Sequence, residues 1–258
     1  LHLVDTHAHF TFNDYADNLD DILSRSRQVG VTGWITVGTD LADSRAALQL
    51  SQKYENMYCT VGIHPHEADK QQEGYREELR AMAAEGKVRA IGEIGLDYHY
   101  DFSPREVQRK IFEEQLDLAG QMNKPVVVHC REAMTDCLAI LDEWNREDIP
   151  VVFHCFSGGR DEARAVVERG YWVSFTGVIT FRNAAEIREA VRCIPPEKIL
   201  LETDCPYLSP EPKRKIRPNE PAFLVHTAAK LAELLEVSVE KIAQVTADNS
   251  RLFFKMEP

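Results

Sequence analysis

Two pairs of histidines, each separated by a single residue, mark where chemistry could occur: His7 and His9 in Asp5–His9, and His64 and His66 in Gly62–His66. Two more histidines, His129 and His154, close apolar runs that begin at Val126 and Val152. Acids take comparable places, with Glu93 and Asp97 in Gly92–Asp97 and Glu202 and Asp204 in Leu200–Asp204. Imidazole and carboxylate together suit zinc, manganese or another first-row divalent ion better than magnesium alone. Side chains two apart on a strand point the same way, about 6.6 Å from one another, so His7 and His9 can reach one cation. A helical H-E-x-x-H motif does the same with a spacing of four. Four histidines and two acids are enough for two divalent metal ions sharing a carboxylate. Paired ions generate a nucleophile from water near neutral pH and stabilise both the attacking and the leaving oxygen.

The elements that must position these groups alternate along the whole chain. Strands are expected at Leu3–Asp5, Gly33–Val37, Met57–Gly62, Val88–Ile94, Pro125–His129, Pro150–His154, Tyr171–Phe175 and Ile199–Glu202. Helical patterns fall near 17–29, 41–54, 74–85, 104–122, 131–145, 160–169, 184–193 and 221–236. Strands spaced by single helices imply parallel pairing through right-handed crossovers, and eight such units predict an α/β TIM (β/α)8 barrel. An open doubly wound sheet is the alternative, but no G-x-G-x-x-G loop follows any strand. In a barrel the carboxyl ends of the strands meet on one rim, which would gather the histidines and acids. A lone buried histidine is more often a hydrogen-bonded core residue than a ligand. Here several independent strand ends each finish with a histidine or an acid, which coincidence does not explain well.

The chain has 258 residues, and one domain spanning 1–258 is expected, with two further short helices at Ser238–Val245 and Asp248–Phe254. No apolar run is long enough to cross a bilayer, and the N-terminal Leu1–Asp5 carries no signal-peptide pattern. Six scattered cysteines without a C-x-x-C pair fit a reducing, cytoplasmic setting. Cys130, Cys155 and Cys205 each follow a proposed ligand by one residue, so strand alternation turns them away as small apolar fillers. A formal charge of −12 argues against a surface coated in basic residues, though a local patch or bound cations can still meet phosphates. The one dense basic cluster is Lys213, Arg214, Lys215 and Arg217, in a proline-rich loop after the last strand. It is read equally as a solvated loop and as a grip on a nucleic-acid backbone.

At these residues the sequence resembles the TatD family of metal-dependent deoxyribonucleases, within the amidohydrolase superfamily. The likeness runs in order through Asp5–His9, Gly62–His66, Gly92–Tyr98, Pro125–Arg131, Phe153–Gly158, Leu201–Leu208 and Arg217–Pro221. Any one of these segments is a weak signal, but the ordered set is specific. The resemblance implies a TIM barrel in which His7, His9 and Asp204 hold one metal, Glu93 bridges, and His129 and His154 hold the other. Some relatives lack the first H-x-H pair; this chain has both histidines, so the fuller site is expected.

The expected reaction is hydrolysis of a DNA phosphodiester by a metal-activated water, with Asp204 taking the proton. His64, His66 and Arg131 are expected to grip a phosphate or assist the leaving oxygen, and an equal reading of Arg131 is a helix-start arginine paired with an acid. Asp97 is expected to orient a metal-bound histidine, and Glu202, two before Asp204, to share its facing and line the barrel beneath it. His2, His99 and His226 lie outside the pattern. DNA is the expected partner, with no membrane and a monomer or weak oligomer. Two rivals stand beside the nuclease: a hydrolase of a small ester or amide, and a metal-binding protein without catalysis.

Overall fold

Val- and Ile-rich runs become strands here, and most are buried along nearly their whole length, as parallel strands covered on both faces must be. The computed structural model describes residues 1–256. Its strands are β1 (Leu3–Ala8), β2 (Val31–Val37), β3 (Met57–Val61), β4 (Val88–Asp97), β5 (Val126–Arg131), β6 (Val151–Phe153), β7 (Trp172–Phe175) and β8 (Ile199–Leu201). The helices are α1 (Leu19–Gln28), α2 (Leu41–Lys53), α3 (Tyr75–Ala83), α4 (Arg105–Met122), α5 (Met134–Trp144), α6 (Arg160–Glu168), α7 (Ala185–Val191), α8 (Leu224–Leu235) and α9 (Val239–Phe254). Strand order follows sequence order from β1 to β8 in one eight-stranded sheet, and a helix follows every strand. This is the TIM-barrel fold expected from the alternation.

The chain divides into two compact units. The first comprises Leu1–Thr36 with the chain from Cys155 onward. In it β1 pairs with β2, β7 pairs with β8, and a parallel bridge joins Ala8 to Cys205 just past β8. Its core includes Leu3, Trp34, Ile35, Phe175, Leu200, Phe253 and Phe254, all essentially inaccessible. The second unit, Val37–His154, pairs β3 with β4, β4 with β5 and β5 with β6. It packs around Met57, Ile91, Phe112, Leu116, Val128 and Phe153. Two glycines bring β4 close to β5. A Cβ on Gly92 would lie 2.6 Å from the Val127 Cβ, and one on Gly95, whose φ is +140°, would lie 2.0 Å from the His129 carbonyl oxygen. Any side chain there would push apart the strands that carry Glu93 and His129.

Several boundaries differ from the sequence expectation. β1 continues to Ala8, β4 to Asp97 and β5 to Arg131, so His7, Asp97 and Arg131 are strand residues. α5 begins only at Met134, so Arg131 does not start a helix. The tail is one helix, α9, rather than two. Ser238 caps it by accepting from the Lys241 N–H at 3.1 Å. Asp248 and Asn249 resemble a second cap in the sequence, but no glycine or proline interrupts the run. Asn249 instead donates to the carbonyls of Pro196 and Ile199, both at 2.8 Å, while Thr246 and Ser250 bond back one turn.

Candidate metal centre

In the first unit, backbone bonds set the geometry. The Asp204 N–H donates to the His7 carbonyl at 2.9 Å, and the His9 N–H donates to the Cys205 carbonyl at 2.8 Å. This ties the end of β1 to the turn after β8. The Asp204 carboxylate then faces both imidazoles, with Oδ1 3.3 Å from His9 Nε2 and 3.9 Å from His7 Nε2. Donors bound at about 2.0–2.1 Å to one tetrahedral ion stand roughly 3.3 Å apart, so this spacing suits a single divalent cation. Asp204 does not continue the strand alternation. β8 ends at Leu201, and Asp204 sits in the left-handed region at φ +54°. Glu202, also past the strand's end, accepts from the Cys155 N–H and the Ser174 hydroxyl, each at 2.6 Å, and has a carboxylate oxygen within 4.8 Å of a His7 ring nitrogen.

Behind this turn lies Asp5, which sequence reasoning gave no role. Its carboxylate is fully buried and accepts from the Thr203 hydroxyl at 2.6 Å and the Thr203 N–H at 2.9 Å. Burial pushes its pKa up to about 7 against those hydrogen bonds. Asn219, also buried, donates to the carbonyls of Thr203 and Tyr207. The partners of Asp5 and Thr203 are about 200 positions apart, which no local pattern signals.

In the second unit, side-chain bonds set the geometry. Glu93 Oε1 lies 2.6 Å from His154 Nε2, 2.7 Å from His129 Nδ1 and 3.5 Å from His64 Nε2. His129 Nδ1 and His154 Nε2 are 3.4 Å apart. These three donors of Glu93, His129 and His154 also span the size of one coordination shell. The opposite nitrogen of His129, Nε2, meets Asp97 Oδ2 at 3.0 Å. A carboxylate in that place would fix the orientation of the imidazole and strengthen it as a ligand. His66 Nε2 meets the same oxygen at 2.9 Å, while Asp97 Oδ1 accepts from the N–H groups of His99 and Tyr100. Burial opposes ionisation of Asp97, but these bonds outweigh it and hold its pKa well below the carboxylate range. Burial likewise lowers the pKa of His129, and its bonds to Asp97 and Glu93 reverse the sign, leaving it raised.

His64 differs from its neighbours. Its Nδ1 accepts from the His66 backbone N–H at 3.1 Å, and burial pushes its pKa down to about 4. A neutral ring accepting at Nδ1 carries its proton on Nε2, the atom facing Glu93. His64 is thus a donor at that nitrogen in the metal-free protein, and with Glu93 and His129 it forms a group of donor atoms within 4.8 Å of one another. Arg131 is exposed, with its guanidinium 4.7 Å from the Tyr100 ring centroid. Of the basic loop, Arg214 lies over Phe181 at 4.0 Å, Lys213 over Phe223 at 5.8 Å, and Arg217 donates to Ser209. Three of its four cations therefore have aromatic or hydroxyl partners within the first unit. His2 and His99 make contacts away from the ligands, with Thr32 and Glu132 respectively.

A family profile described as TatD related DNase matches residues 4–255. The Bacillus subtilis protein named uncharacterized metal-dependent hydrolase YabD is 37% identical over 254 residues, covering 98% of this chain and 99% of that one. A 3'-5' ssDNA/RNA exonuclease TatD from Escherichia fergusonii is 37% identical over 256 residues, with 98% of each chain covered. The crystal structure of YJJV, a TatD homolog from Escherichia coli K12, superposes with a TM-score of 0.93 at 30% identity, covering 99% of this chain and 98% of that one.

Proposed function

We propose that this chain, which belongs to the TatD family of metal-dependent hydrolases, is a nuclease that cleaves phosphodiester bonds of single-stranded DNA, working from the 3' end. The observation that carries the reading is the pair of donor sets, His7–His9–Asp204 and Glu93–His129–His154, each spaced for one divalent ion. Relatives named as exonucleases supply the substrate class. Bound divalent ions would lower the pKa of water and offset charge on phosphoryl oxygens. Asp204, whose side chain is 14% accessible, takes the proton from the attacking water. His64 donates from Nε2 to a phosphoryl or leaving oxygen, and His66 and Arg131 hold the phosphate. Among the described residues no disulfide joins any of the six cysteines, and no helix is long and apolar enough to cross a membrane. A reducing cytoplasm suits such a chain.

The test is direct. The purified protein, stripped by chelation and reloaded with manganese, magnesium or zinc, is given single-stranded DNA, RNA, duplex DNA and small esters. Release of mononucleotides from an unblocked 3' end is the expected result. Turnover of the esters with every nucleic acid left intact would replace the nuclease with the small-ester reading.

A further inference from the structure

The loop after β4 presents two large rings to solvent beside the second unit's histidines. Tyr100 is 47% exposed and Phe102 is 64% exposed. The rings stack on one another, with centroids 5.3 Å apart and planes 21° apart. Arg131 lies over Tyr100, and His66 meets both rings edge-on, at 5.5 Å and 4.7 Å. His66 in turn shares Asp97 with His129, so the rings stand next to the proposed metal ligands.

This exposure does not come from a loose loop. Asp97 accepts the Tyr100 N–H at 2.9 Å, and Gln108 donates to the carbonyls of Asp97 and Ser103. Ser103 is fully buried and bonds the His66 carbonyl and Asp69. The chain is therefore pinned on both sides of the rings, which are held outward. Aromatic faces beside a guanidinium form the combination that takes a nucleobase with its phosphate. The overall charge of −12 opposes a polyanion at long range, so affinity for one at this site has to come from local contacts. Stacking is one such contact.

We infer that Tyr100 and Phe102 form a stacking platform for a base of single-stranded nucleic acid, with Phe102 as its outer face and Arg131 beside it. This rests on the nuclease reading of the adjoining site. Stacking tolerates any base, since every base has a π face, so the platform contributes affinity without sequence preference.

The experiment measures binding by fluorescence anisotropy with manganese present. The probes are a phosphorothioate-linked oligothymidylate, which resists cleavage, and an abasic oligomer of equal length and linkage. Phe102→Ala is expected to weaken oligothymidylate binding about 10-fold, within the roughly 5- to 150-fold that base–aromatic stacking allows. The abasic oligomer should bind wild type and Phe102→Ala alike, and Phe102→Trp should restore the affinity for oligothymidylate. Equal weakening on both probes, or none on either, would overturn the platform. If wild type cleaves ordinary single-stranded DNA yet binds both probes equally, the platform falls and the nuclease reading stands. If wild type neither binds nor cleaves any nucleic acid, both fall together.

Discussion

The two donor clusters reach similar dimensions by different means. Around Glu93, His129 and His154, hydrogen bonds between the side chains draw the donors to 2.6–3.4 Å, and Asp97 braces His129 from behind. Around His7, His9 and Asp204, the carboxylate stands 3.3 and 3.9 Å from the imidazoles, and its place is set by backbone bonds and a left-handed turn. One cluster is preorganised by its own functional groups and the other by the scaffold beneath it. Substitutions in the second unit should therefore act through the donors and the side chains bonded to them, whereas in the first unit the backbone scaffold should matter beside the donors themselves.

The largest effect is expected at Glu93. Its Oε1 is the common neighbour of three histidines, so Glu93→Gln removes the only carboxylate charge in that donor set. Loss of one equivalent of metal is expected by elemental analysis, with activity down roughly 1000-fold or more because several kcal/mol of charge stabilisation leave with the ion. Loss of both equivalents at once would break the comparison, since the clusters would not be loading separately.

Asp204→Asn should come next. The amide keeps the shape and one ligating oxygen but cannot take a proton. Turnover on single-stranded DNA should fall roughly 100-fold or more, the scale of a positioned acid–base group, with metal content near normal. A near-normal rate with metal retained would remove Asp204 from proton transfer. Metal lost along with activity would leave it as a ligand only.

Much of this was readable in advance, for identifiable reasons. The H-x-H pair of β1 works at strand periodicity, and Glu93, His129 and His154 each lie at or near the end of a Val- and Ile-rich run, so both type and place were legible. Periodicity failed where the strand stopped. Past Leu201 the chain turns, Glu202 swings to Cys155 and Ser174, and Asp204 takes a left-handed conformation. The tautomer of His64 depends on one backbone N–H, and the bracing of Thr203 depends on Asp5 at the other end of the chain. Such facts exist only once the fold has formed. Tyr100 and Phe102 fall between an expected strand and an expected helix with nothing in the sequence to single them out, and only their exposure separates them from the buried phenylalanines.

A smaller effect is expected behind His129. Asp97→Asn leaves an amide that can present a donor to His129 Nε2 and His66 Nε2, where the carboxylate only accepted. Metal affinity of the second unit's cluster should weaken about 10- to 100-fold, the usual cost of losing a carboxylate behind a ligating histidine. Isothermal titration with zinc, resolving two binding steps, should show only one step displaced. Equal displacement of both would mean that Asp97 supports the fold at large and not one imidazole.

The smallest effect sharpens the comparison from the scaffold side. Thr203 is not among the proposed ligands, yet its hydroxyl gives Asp5 a 2.6 Å bond inside a fully buried setting. Thr203→Val preserves the branched shape and removes that donor. A buried acceptor left short of a partner costs about 1–3 kcal/mol. For a chain of this size, the melting temperature should fall by about 2–12 °C. If backbone placement governs the first cluster, metal affinity there should also slip by a few-fold as the turn carrying Asp204 loosens, while the cluster around Glu93 binds as before. A melting shift with both affinities unchanged would show that the bonds from Asp204 to His7 and from His9 to Cys205 hold the carboxylate unaided.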